Sequence, residues 1–117
     1  MMVGPDRVQV YVVVGSVDMR KAIDGLSILV SERFALDPFG GHAFAFSNRR
    51  RNVVKVLYWD RNGFCLWQKR LERQRFRWPS CREEVLEIGH RELRWLIDGL
   101  DIRQREAHKA LQYSAIC

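Results

Sequence analysis

The chain has 117 residues, of which 47% are hydrophobic and 29% are charged. These values are typical of a folded globular protein and exclude a wholly disordered chain. The length is sufficient for a hydrophobic core without disulfides or a structural metal, so we expect residues 1–117 to form a single domain. The formal net charge of +6 and the pI of about 9.7 favour an anionic partner.

The three cysteines, Cys65, Cys81 and Cys117, are an odd number and show no CxxC spacing. This pattern predicts neither a disulfide framework nor a zinc site, and it favours a reducing compartment. The apolar run over residues 8–14 is too short for a signal peptide or a membrane span. We therefore expect a cytoplasmic protein without a membrane partner.

The first predicted element is a strand over residues 8–14, where β-branched side chains predominate before Gly15. Asp18 is predicted to cap a helix over residues 19–33. The helix has one core-facing stripe with spacings of three and four residues, formed by Met19, Ile23, Leu26 and Val30. We interpret Gly25, in the middle of this helix, as a close packing contact against a strand.

A loop is predicted over residues 36–41, LDPFGG, because proline and two glycines oppose regular structure. Three strands follow, at residues 43–47, 53–59 and 64–71, and we expect them to form an antiparallel meander. The last two flank Asp60-Arg61-Asn62-Gly63. Asn-Gly is a strong hairpin signal because both residues tolerate the positive φ of a tight turn.

Residues 75–78, RFRW, alternate arginine and aromatic side chains, which predicts a short strand or extended segment with the arginines outward. Residues 82–88 fit either a short strand or a helical turn, and residues 90–100 have the apolar spacing of a second helix. Residues 101–117 are either a helix extension or a tail. The predicted fold is α+β, an antiparallel meander of four or five strands with one helix packed on a face and a C-terminal helix.

Positive charge is concentrated in one part of the chain. Residues 49–82 hold eleven Lys/Arg against two acids, a net charge of +9, whereas the remainder carries −3. The predicted nucleic-acid-binding residues are Arg49, Arg50, Arg51, Lys55, Lys69, Arg70, Arg73, Arg75 and Arg77. Such a set favours phosphate contacts rather than sequence reading, and no helix-turn-helix or zinc-finger signature accompanies it.

The aromatic side chains of the same region have two readings. We assign them to the core of a small sheet, and the alternative is stacking on exposed bases, as on single-strand binding surfaces. They are Trp59, Phe64, Trp67, Phe76 and Trp78.

Nothing in the sequence predicts a catalytic residue, a metal site or a cofactor. The carboxylates available for a nuclease site all have simpler roles as cap, exposed helix residue or turn residue; they are Asp18, Asp24, Asp37 and Asp60. The histidines, His42, His90 and His108, lack ligand spacing, and no activated nucleophile or glycine-rich phosphate loop is present.

An ordered set of short motifs runs through residues 8–102 of the chain. It comprises Asp18-Met19-Arg20-Lys21, Asp24-Gly25-Leu26, Leu36-Asp37-Pro38-Phe39, Val56-Leu57-Tyr58-Trp59-Asp60, Gly63-Phe64-Cys65-Leu66, Lys69-Arg70-Leu71-Glu72, Trp78-Pro79 and Leu96-Ile97-Asp98-Gly99-Leu100. This resembles the small TnpB-type accessory protein, the second-open-reading-frame product, of insertion-sequence family sixty-six. Gln74 departs from the family pattern, where a glycine is common, and residues 103–117 lie outside it.

The resemblance implies a non-enzymatic accessory factor for transposition of an insertion sequence. The implied partners are DNA, at element ends or non-specifically, together with the transposase and other element-encoded proteins. Two alternatives stay open at this point: a small metal-dependent nuclease or strand-processing enzyme, and a pure protein–protein adaptor for the transposase. The sequence does not define the oligomeric state.

Overall fold

The computed structural model describes residues 9–100. A π-helical turn, Leu29–Arg33, continues the first helix directly. The elements in chain order are β1 (Val10–Val13), α1 (Ile23–Ile28), β2 (Ala43–Ser47), β3 (Val53–Asp60), β4 (Gly63–Arg70), β5 (Val85–Ile88) and α2 (His90–Ile97).

The five strands form one sheet in the order β4-β3-β2-β1-β5. Strands β2, β3 and β4 are the predicted antiparallel meander, and β5 pairs antiparallel with β1. The α+β class is confirmed. One neighbouring pair, β1 and β2, is parallel rather than antiparallel, because the chain between these strands crosses over through α1.

Each face of the sheet carries its own apolar cluster. On one face, α1 and the π-helical turn pack on Phe44, Phe46 and Leu57 through the fully buried Leu26 and Val30. Ile23 lies against the same cluster, as the predicted stripe requires, and Met19 packs there from the turn that precedes the helix. The other face is covered by α2 and by residues 71–79, an irregular segment that we call the strap.

The start of α1 differs from the prediction. The helix begins at Ile23, after Ala22, so Asp18 does not cap it. Instead Asp18 Oδ1 accepts a 2.9 Å bond from the Arg20 backbone N–H, and these two side chains form an ion pair of 2.6 Å. Hydrogen bonds from Arg20 lower the pKa of Asp18 to about 2. The interpretation of Gly25 is also wrong, since a Cβ there would meet the Lys21 side chain at 3.3 Å and not a strand.

The predicted β3–β4 hairpin is present, with Asp60 opposite Gly63. Its positive φ, 56°, lies at Arg61 rather than at Asn62 or Gly63, and the Asn62 N–H donates to the Asp60 carbonyl. The turn is therefore a tight one centred on Arg61. Because β3 runs from residue 53 to residue 60, this turn lies at the opposite end of the sheet from residues 48–52.

The C-terminal part of the described chain resolves two open readings. Residues 85–88 are a strand, and residues 75–78 belong to neither a strand nor a helix. Helix α2 follows Gly89, whose N–H donates to Glu92 Oε1 at 3.0 Å. The readings for residues 101–117 lie outside the described residues. None of the helices within residues 9–100 is long and apolar enough to cross a bilayer.

Candidate nucleic-acid interface

Three segments meet at the end of the sheet where β4 stops: the β2–β3 turn, the last residues of β4 and the strap. Asn48 builds the turn, because its Oδ1 accepts from the backbone N–H groups of Asn52 and Val53, each at 3.0 Å. The strap is tied to this turn by backbone bonds, Leu71 N–H to Asn52 O at 2.8 Å and Phe76 N–H to Arg51 O at 2.7 Å. Residues far apart in the sequence are thereby held together at one end of the sheet.

The strap has the alternation that its sequence predicts. Phe76 and Trp78 are 3% and 8% exposed, whereas Arg75 and Arg77 between and beside them are exposed. Trp78 is also anchored at its polar edge, since Nε1–H donates to the Val13 carbonyl at 2.9 Å. The two aromatics therefore belong to the core, and their burial directs the arginines outward.

The exposed cations of these three segments form a surface that we call the basic rim. It comprises Arg49, Arg50, Arg70, Arg73, Arg75 and Arg77. Arg70 has a surface ion pair with Glu72, Nε to Oε2 at 3.1 Å. Within residues 9–100 the other five have no ion-pair partner. The basic rim is thus a cluster of largely uncompensated positive charge.

Arg51 was predicted as a member of this surface, but the structure gives its guanidinium an internal role. Nη2 donates to the Val14 carbonyl at 3.0 Å, and the guanidinium carbon lies 5.9 Å from the centre of the Trp78 ring. Burial lowers the pKa of Arg51, and Nη1 is buried without a partner among the described residues. Arg51 therefore connects the β2–β3 turn, the end of β1 and the strap.

The two predicted lysines also use their ammonium groups inside the fold. Lys55 is 7% exposed, and its Nζ donates to the carbonyls of Met19 and Lys21 at 2.8 and 2.9 Å. Strand alternation turns it toward the α1 side of the sheet. Lys69 Nζ donates to the Ile97 carbonyl at 3.0 Å, where it satisfies the carboxyl end of α2. Neither lysine belongs to the basic rim.

Replacing Lys55 with methionine tests this internal role. We expect Lys55→Met to lower the free energy of unfolding by about 1.5–3 kcal/mol, the range for hydrogen bonds of a charged group. Urea unfolding measures this change. The folded variant should keep the DNA affinity of the parent, since it loses no rim charge. Arg50→Met is the control and should leave stability within about 0.5 kcal/mol. If Lys55→Met keeps the parental stability but binds DNA more weakly, the lysine contributes to the surface and not to the interior.

The acids considered for a metal site are engaged locally or stand apart. Asp18 pairs with Arg20, and Asp37 Oδ1 accepts from the Phe39 N–H at 2.9 Å. Asp60 is exposed at the hairpin turn, where its backbone carbonyl accepts from the Asn62 N–H. Asp24 lies exposed in the first turn of α1. Within the described residues, no three His, Cys, Asp or Glu side chains lie close enough to hold a metal ion together.

A groove between β4 and α2 was missed by the sequence reasoning. Its volume is about 520 Å³, and its lining combines aromatic, basic and aliphatic residues: Trp67, His90, Arg91, Leu93, Arg94, Ile97 and Asp98. The spacing of Arg91 and Arg94 indicates one helix face. Nothing in the sequence indicates that this face lies beside Trp67.

Comparison with known proteins identifies the family of the chain. The family described as IS66 Orf2 like protein matches residues 8–107. The chain belongs to this family. The match confirms the resemblance and extends slightly beyond residue 102. Among curated proteins, the uncharacterized protein y4hO of Sinorhizobium fredii is 36% identical over 103 residues, which cover 88% of this chain and 90% of y4hO. The uncharacterized protein y4jC of the same organism is 34% identical over 101 residues, 86% of each chain. No solved structure matches the chain.

Proposed function

We propose that this IS66 Orf2-like protein is a non-enzymatic, cytoplasmic accessory factor for transposition, and that its basic rim binds DNA. Membership in the family supports the accessory role. The observation that carries the DNA-binding part is the basic rim itself. Five of its six arginines have no ion-pair partner within residues 9–100, and two segments distant in sequence are hydrogen-bonded together to present them.

Arginine side chains suit phosphate recognition because the planar guanidinium donates two parallel hydrogen bonds. The rim arginines lie on a turn, at the end of β4 and on the strap rather than on a helix that could enter the major groove. Contacts from such segments position a protein on the DNA backbone and read little sequence. Any sequence preference in transposition would then come from the transposase.

The proposal is tested by titrating labelled duplex and single-stranded DNA at several salt concentrations. Each phosphate contact contributes about 0.9 to the slope of log K against log salt on duplex DNA and about 0.7 on single strands. If the five unpaired rim arginines all contact phosphates, the duplex slope should reach about −4 to −5. Absence of binding at low salt would remove the DNA part and leave the accessory role.

The rival adaptor function uses the same surface, because guanidinium groups bind carboxylates as well as phosphates. In that case the basic rim would dock on an acidic patch of the transposase. A pull-down with transposase, with and without element-end DNA, separates the two. Capture that survives nuclease treatment, in a protein without DNA affinity, would establish the adaptor and overturn DNA binding.

A further inference from the structure

The groove between β4 and α2 has features of a ligand site. Its volume of about 520 Å³ falls within the range of roughly 300–1,000 Å³ common to small-ligand pockets. One wall is Trp67, which is half-buried and packs against the core on its sheet side. The other wall is the face of α2 that carries His90, Arg91 and Arg94.

The polar groups of the groove are available for a ligand. Arg91 and Arg94 are exposed, and neither forms an ion pair with a residue in the range 9–100. His90 Nε2 is buried without a hydrogen-bond partner among the described residues. An unsatisfied buried polar atom is uncommon in folded proteins and calls for an explanation, such as a ligand or water. His90 is a lining residue of the same groove as the two free guanidinium groups.

An aromatic wall facing two cations indicates the chemistry of the ligand. A flat, polarisable ring surface stacks with nucleobases, and free arginines hold phosphates. Asp98, at the far end of α2, is the one acid of the lining and disfavours an anion at that end. The phosphate-binding part is therefore the half beside Arg91 and Arg94.

The groove also lies next to the basic rim. The ammonium of Lys69 bonds the carbonyl of Ile97, and Ile97 lines the groove. The strap, which carries Arg75 and Arg77 of the rim, covers the same face of the sheet as α2. A DNA strand bound at these two arginines is therefore on the same side of the sheet as the groove.

From these observations we infer that the groove binds unpaired nucleotides of a DNA strand. A base stacks on Trp67, and Arg91 and Arg94 bind the adjoining phosphates. Duplex phosphates bind at the basic rim, and the unpaired strand continues into the groove. This inference rests on the proposed DNA binding and deepens it. It fails separately, since a substitution in the groove should weaken binding of a single-stranded probe and leave duplex binding at the rim unchanged.

The experiment measures binding of a short labelled oligothymidylate by fluorescence anisotropy. Arg91→Gln/Arg94→Gln alters only exposed side chains and should lower the slope of log K against log salt by about 1.4. Trp67→Leu, which keeps an apolar side chain, should weaken binding roughly five- to hundredfold, the range for one lost base stack. Urea unfolding of each variant establishes that it is folded at the assay temperature.

The charge-matched control is Lys21→Gln/Arg61→Gln, which removes two exposed cations outside the groove lining. This control and a duplex probe with Trp67→Leu should both show parental affinity within about twofold. The inference would be overturned if Arg91→Gln/Arg94→Gln bound the single-stranded probe as tightly as the control does. Binding of thymidine monophosphate as tight as that of the oligomer would also overturn it, because a strand site gains from successive phosphates.

Discussion

Removing the charge of four rim arginines together should weaken duplex DNA binding by roughly two to three orders of magnitude at about 0.1 M salt. The slope of log K against log salt should fall by about three to four units, near 0.9 for each lost phosphate contact. The substitutions are Arg49→Gln, Arg50→Gln, Arg75→Gln and Arg77→Gln. All four positions are exposed, so the variant should unfold at nearly the parental urea concentration.

The control for this variant is Arg61→Gly. It removes one positive charge from the hairpin turn at the other end of the sheet. It also removes backbone strain, because glycine adopts the φ of 56° found at Arg61 at lower cost than arginine does. We expect unchanged DNA affinity and equal or higher stability. Arg61→Gly should also be compared with a single rim substitution such as Arg75→Gln. If both lose the same DNA affinity, only the net charge of the protein matters. The basic rim would then be no defined site.

Much of the sheet follows from local patterns. The alternation along residues 53–60 determines which side chains face α1, and the turn at residues 60–63 pairs β3 with β4 in register. The parallel placement of β1 beside β2 does not follow from either strand. It depends on the path of the crossover through α1, for which the sequence offers no register signal.

The basic surface was only partly predictable, because the sequence does not show which basic side chains form hydrogen bonds inside the fold. Arg51, Lys55 and Lys69 all donate to backbone carbonyls 28 to 37 residues away in the chain. The accepting carbonyls lie at the end of a strand, before a helix and at the end of a helix. Which of them requires a side-chain donor is determined only when the elements pack together. Arg75 and Arg77 were placed correctly, because their exposure follows from the alternation with Phe76 and Trp78.

The groove shows that the sequence also does not determine which aromatic side chains are fully buried. Phe76 and Trp78 fill the core, as the sequence interpretation had it. Trp67 keeps an accessible side, because α2 packs beside it rather than over it. This partial exposure depends on the position of a helix that begins 23 residues later. Helical periodicity predicts that α2 has an apolar face, but not where along the sheet that face rests.

Loss of the Trp78 side chain should be the most destabilising single change in the strap. We expect Trp78→Ala to reduce the free energy of unfolding by about 3–5 kcal/mol, as for other large-to-small changes of buried aromatics. The indole fills the core beside α2, donates to the Val13 carbonyl and lies beneath the Arg51 guanidinium. Urea unfolding followed by circular dichroism measures the change, which is large against the roughly 5–15 kcal/mol of a typical domain.

Two further variants separate the contributions at this position. Trp78→Phe keeps most of the packing but removes the indole donor, so it should cost about 1–3 kcal/mol through loss of the bond to the Val13 carbonyl. Arg77→Ala changes the exposed neighbour and should cost less than about 0.5 kcal/mol. If Trp78→Ala costs no more than Arg77→Ala, the strap is not anchored by its aromatics. The burial of Phe76 and Trp78 would then not explain why Arg75 and Arg77 point outward. The basic rim would not be held rigidly by the strap.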